Sequence, residues 1–204
     1  SEKVKETRSA IGDLQVRAVE RLREGQLAEA RQRLEEIIAL EPAELFACYW
    51  LGHIAENQGN PEECIFQFEK ARELDQHSKN FDDIDARLGR IYARKWDYEN
   101  AVPRLKAAVD KEPNSFDLNM LLLHQYQNAF VINEEESVGG ESLDQVINRY
   151  KQLTQQNSFQ ALYNFAMLHF MRMNNSVGGE EENIQVAVDW FNRAAQQAPN
   201  NPLP

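Results

Sequence analysis

An all-α chain of successive helical hairpins is the fold class this sequence predicts, and three observations predict it. Apolar residues recur at i, i+4 and i+7, the spacing of one helical face and not the alternation of a half-buried strand. Such stretches come in pairs, and the pairs repeat along the 204 residues. The residues that break helices are few, 9 Gly and 7 Pro, and several fall between the apolar stretches, where a chain reverses.

The first pair breaks at Gly25 and continues through Ala30, Leu34 and Ile37 to Pro42, which cannot prolong a helix. The second places Cys48, Leu51, Gly52 and Ala55 on one face, turns at Gly59-Asn60-Pro61, and resumes with Cys64, Phe68 and Ala71. The third repeats the intervals with Asp85, Leu88, Gly89 and Tyr92, then Ala101, Leu105 and Ala108, and exits at Pro113. Its turn, Trp96-Asp97-Tyr98, contains no glycine. The fourth runs through FDLNMLLLHQYQNAF and then Val146, Tyr150 and Leu153. The fifth runs through NFAMLHFMRM and then Ala187, Phe191 and Ala194, and exits at Pro199. Gly52, Gly89 and Ala166 are small enough to let the second helix of a pair approach closely. Leu51 and Phe68 are expected in full burial between hairpins.

Two segments interrupt the pattern with the same four residues. NEEESVGGES (133–142) and NNSVGGEEEN (174–183) each carry Ser-Val-Gly-Gly beside glutamates. Both sit where the turn inside a hairpin is about ten residues longer than in the other pairs. Gly-Gly permits positive φ where the first helix ends, and the acids suit the positive N-terminus of the second. A duplicated hairpin with its loop accounts for both copies. Two adjacent acidic loops would otherwise form a partner contact or a loose cation site, although the EF-hand ligand spacing is absent.

Composition narrows the function. A formal charge of −11, from 22 Lys+Arg against 33 Asp+Glu, disfavours nucleic acid as a partner. No apolar run approaches the roughly 20 residues needed to span a bilayer. The polar opening SEKVKETRSA has no signal segment, and it begins with Ser instead of Met, which fits a processed or excised chain. A cytoplasmic location is the expectation. Cys48 and Cys64 fall in apolar stripes and read as buried thiols, not a disulfide framework. No phosphate-loop, nucleophile-elbow, zinc-protease or CxxC motif occurs. His53, His77, His124 and His169 stand singly, without another His or Cys at i+3 or i+4. The expected chain is not an enzyme and uses no cofactor or metal.

Arg87, Arg90 and Arg94 share a face by their i, i+3, i+7 spacing. Like charges so placed repel unless an acid answers them. Asp83 and Asp97 are internal candidates; a partner's carboxylate, gripped bidentately, is the alternative.

The Leu-Gly and Ala patterns of the five pairs resemble the tetratricopeptide repeat (TPR), an αα-hairpin of about 34 residues. The resemblance covers nearly all of 1–204 as a single domain, with repeats near 9–42, 43–79, 80–113, 114–157 and 158–199 and elongated loops at 131–141 and 174–181. The second and third match best, whereas Arg17-Ala18, Leu122-Leu123 and Phe165-Ala166 replace Leu-Gly in the others. The resemblance implies a right-handed superhelical solenoid whose first helices line a concave groove for a peptide or protein segment. It assigns Tyr49, His53, Asn57, Arg87, Arg90, Arg94, His124, Asn128, Tyr163 and Met167 to that groove. The function so implied is a non-catalytic scaffold. An adaptor region of a larger enzyme or sensor, or a self-assembling module, are the alternatives. Partners with acidic residues or a C-terminal carboxylate suit the arginines. Of the chaperone-binding carboxylate clamp found in some members, however, only Arg87 matches; Gln15, Val19 and Asp83 occupy other clamp places. The last helix, with Val186, Val188, Trp190, Phe191 and Ala194, would leave an apolar face bare, so a longer parent chain or a homodimer through the C-terminal hairpin is expected.

Overall fold

The computed structural model describes residues 2–75, 80–174 and 180–197, without the side chains of 174 and 180–183. It divides into two compact units, 1–84 and 85–204. Among the described residues every long element is an α-helix.

The first unit contains α1 (Glu2–Arg23), α2 (Leu27–Leu40), α3 (Leu45–Asn57) and α4 (Pro61–Leu74). α3 and α4 start where side chains satisfy the orphan amides of a first turn. Glu44 accepts from the Ala47 N–H at 2.7 Å, and Asn60 accepts from the Glu63 N–H at 3.2 Å with Pro61 at the first helical position. Gly25 and Gly59 hold φ of 72° and 69°, the left-handed turn that glycine adopts without a Cβ clash. Ala18, Ala30, Leu34, Ile37, Ala47, Leu51 and Ile54 form one core across α1, α2 and α3. Leu51 is 2% exposed and Phe68 fully buried. A Cβ on Gly52 would lie 2.9 Å from the Phe68 ring, so the missing side chain sets how closely α4 meets α3.

The second unit contains α5 (Ile84–Arg94), α6 (Tyr98–Lys111), α7 (Phe116–Gln127), α8 (Leu143–Leu153), α9 (Phe159–Asn174) and α10 (Glu180–Gln197). Gly89 repeats the device of Gly52: its Cβ would lie 2.6 Å from Leu105. The α9–α10 pair closes on Ala166 and Ala194, both fully buried, with Trp190 edge-on to Phe165 at 5.0 Å.

The first Ser-Val-Gly-Gly copy departs from its expected geometry. α7 does not end at Gly-Gly; it widens into a π-helical turn, Asn128–Ile132. Gly139 and Gly140, at φ 59° and 78°, then form the apex of a tight turn closed by Val138 N–H to Glu141 O (2.9 Å) and Glu141 N–H to Val138 O (3.1 Å). That turn lies on α6: Val138 is 4% exposed and a Cβ on Gly139 would meet Val102 at 3.0 Å. Glu141 does not serve the α8 N-terminus. It bonds Lys106 and Arg149 (3.2 Å), while Ser142 and Gln145 form the capping box. Burial alone would raise the Glu141 pKa, but the Lys106 hydrogen bond and the Arg149 charge hold it below the ordinary carboxylate value. The second copy, at 176–179, lies outside the described residues, as does Pro199.

Candidate protein-binding site

Two surfaces carry the residues that the sequence singles out, one in each unit. In the first unit, α1 and α3 and the start of α2 enclose a cleft of about 470 Å³. Val19, Leu22, Leu27, Trp50 and Ile54 give it apolar walls, and Arg23, His53 and Asn57 bring polar groups. An apolar hollow with a few polar groups is the usual form of a binding site. His53 is fixed there by aromatic neighbours: its ring lies 4.5 Å from Tyr49, 5.2 Å from Trp50 and 5.4 Å from Phe68. Asn57 is exposed in the last turn of α3.

Tyr49 is not available to a partner. It is 8% exposed, stacks on Phe81 at 3.7 Å, and donates its hydroxyl hydrogen to Asp83 at 3.0 Å. That bond gives Asp83 a partner on α3. The i, i+4 spacing had no means of showing it, because Tyr49 lies on a different helix.

In the second unit Arg87 and Arg90 are half-buried on α5 and Arg94 is exposed at its end. The acid that answers Arg90 is neither sequence candidate: Asp117, in the first turn of α7, accepts from Arg90 at 2.8 Å. Asp97 instead caps α6 through the Asn100 N–H at 3.1 Å. Both partners of the Arg90–Asp117 pair are well solvated, so it contributes little to stability. His124 is exposed on α7, with its ring 5.8 Å from that of Trp96.

Asn128 and Tyr163 are buried as well. Asn128 is 5% exposed inside the π turn, where its carbonyl and amide oxygens accept from Asn133 at 2.8 and 3.1 Å. Tyr163, 4% exposed, packs against Phe159 at 5.6 Å and Phe191 at 5.5 Å. Met167 is half-buried on α9. Behind this face Gln160 donates to Asn164 and Asn164 to Asn119, each at 2.6 Å, and Asn119 donates to the Ser115 carbonyl at 2.8 Å. The chain of amides satisfies polar groups that burial would otherwise penalise. Periodicity alone read only apolar residues as core and missed it.

Cys48 and Cys64 are buried and form no disulfide, and burial pushes the Cys48 thiol above its ordinary value, away from a reactive thiolate. Among the described residues no three His, Cys, Asp or Glu side chains gather as an ion site. No helix among them is long and apolar enough to cross a membrane.

The family model "Tetratricopeptide repeat" matches residues 45–78, the hairpin of α3 and α4. No curated protein matches the chain. Solved structures share its fold. The "Crystal structure of MamA protein" is 15% identical over 96% of this chain and 98% of its own, with a TM-score of 0.60. MamA 41-end from Desulfovibrio magneticus RS-1 is 17% identical, covering 95% and 98%, at 0.56. YrrB, described as a TPR protein with an unusual peptide-binding site, is 19% identical, covering 90% and 84%, at 0.57.

Proposed function

For a chain of the tetratricopeptide repeat superfamily, we propose the work of a non-catalytic scaffold that holds a peptide or protein segment against its first helices. This reading takes 1–204 as one array of five repeats, 9–42, 43–79, 80–113, 114–157 and 158–199. The observation that carries it is the α1–α3 cleft. Its walls suit one or two apolar side chains of a partner, and Arg23, His53 and Asn57 suit a carboxylate beside them. Of the groove residues named from sequence, the reading retains His53, Asn57, Arg87, Arg90, Arg94, His124 and Met167 as surface contacts. Tyr49 supports the first unit's surface from within, and Asn128 and Tyr163 that of the second.

Quantitative affinity capture with the wild type and with an Arg23→Glu/Asn57→Arg variant tests it. Both positions are exposed, so the variant keeps its fold. A protein enriched by the wild type and lost from the variant supports the reading. Equal capture by both, for every enriched protein, overturns it.

Self-assembly is a second reading, favoured by one observation. Ile184 and Val188 lie one turn apart on α10 and are 44% and 43% exposed, whereas Trp190 and Phe191 are engaged with α9. Sedimentation across a wide concentration range tests it, with a Val188→Glu variant expected to remain monomeric.

A further inference from the structure

The 133–142 segment is held to the helices beneath it at few points. Asn133 to Ser137, Gly139 and Gly140 are exposed, and Val138 alone is buried. The two backbone bonds of its turn, between Val138 and Glu141, join the segment to itself and not to a helix. Its root is the π turn, where Asn133 and Glu135 donate to the Asn128 and Ala129 carbonyls at 3.0 and 2.9 Å. Beyond that root, among the described residues, it is attached in three ways. Val138 and Gly139 lie on α6. Glu135 accepts from the Tyr98 hydroxyl at 2.6 Å in an exposed bond. Glu141 sits between Lys106 of α6 and Arg149 of α8.

The helices below are held differently. Val102 and Leu105 of α6, Tyr126 of α7 and Val146 of α8 are fully buried, so a core joins these helices underneath the segment. A region with little buried apolar surface opens at a lower free energy than the core it covers. The backbone favours release as well. Glu134 has φ of 53°, a left-handed conformation that a non-glycine residue keeps only under constraint. Glu141 is the firmest constraint: it is half-buried and meets two cations, whereas Glu135 meets a neutral hydroxyl in solvent.

We propose that residues 134–141 form a latched strap that opens as one unit while α6, α7 and α8 stay folded, with Glu141 as the latch. Opening bares Val102 and Val138 and parts Lys106 and Arg149 from their carboxylate. The inference does not rest on the scaffold reading, and neither one's failure touches the other.

Native-state hydrogen exchange of the full chain, resolved by NMR, tests it. In the wild type the amides of residues 138 and 141 should exchange at least about a hundredfold faster than those of Leu105 and Val146, after correction for sequence. Guanidinium below the unfolding transition should speed the core amides steeply and the strap amides little, because opening the strap exposes little surface. Glu141→Gln should speed the strap amides at least roughly fivefold, and Lys106→Gln, which leaves Arg149 in place, should do so by less. Strap and core amides that exchange alike and share one denaturant dependence overturn the proposal, since the segment would then open only with the hairpin. Strap exchange unchanged in Glu141→Gln also overturns it, because the latch would lie elsewhere.

Discussion

The second and fourth hairpins connect two packed helices in opposite ways. α3 passes to α4 through residues 58–60, with one left-handed glycine at the bend and a glycine-to-phenylalanine contact closing the pair. α7 passes to α8 through a π turn and then a segment, 133–142, laid across α6 and held by a carboxylate between two cations. The short connection leaves hairpin geometry to the core. The long one has its own polar anchor, since a connection of that length must be fastened to something or lose order. The repeated Ser-Val-Gly-Gly is accordingly, in its described copy, a packed turn.

If that contrast holds, the largest effect belongs to the core of the short-turn hairpin. Phe68→Ala should destabilise by about 3–5 kcal/mol, since the ring is fully buried against Gly52. Chemical denaturation measures this, and a loss below about 1 kcal/mol would contradict the packing described.

Glu141→Gln comes next, at about 1–3 kcal/mol near neutral pH, the worth of hydrogen bonds to a charged group. Its sign with pH follows from the lowered pKa. Stability from ionised Glu141 is present above the ordinary carboxylate value and is lost as pH falls through the depressed folded one. The gap between wild type and variant should therefore close in acid. A gap that persists there would mean the effect is steric.

Glycine substitutions sharpen the contrast further. Gly59→Ala and Gly140→Ala have open space and positive φ, so each should cost about 1 kcal/mol. Gly139→Ala must also displace Val102 and should cost more than either. Equal costs at 139 and 140 would show that the turn does not bear on α6. An effect no larger belongs to the α6 cap: Asp97→Ala should cost about 1 kcal/mol, read by thermal melting.

The hairpins were legible because their signals are local. Gly52 and Gly89 sit beside leucines at helical spacing, Asn60-Pro61 marks a helix start, and Pro42 and Pro113 follow the ends of α2 and α6. The site was legible only in part. Arg90 could be placed on a face by spacing, but its acid, Asp117, comes from another hairpin. Tyr49 and Tyr163 read as groove aromatics because an aromatic on the first helix carries the same signal whether it faces a partner or Phe81 and Phe191. Asn128 read as a surface amide because nothing in a 3.6-residue period announces a π turn. No spacing or motif singles out Arg23, which lines the cleft only through the packing of α1 against α3 and Trp50.

The central claim is that a partner is held on the first helices while the 133–142 turn serves the fold. Hydrogen–deuterium exchange with a captured partner tests it most directly. The account predicts added protection in the peptides covering 19–27 and 50–57, with 133–142 unchanged. Protection confined to 133–142, with the helices unaffected, would contradict it.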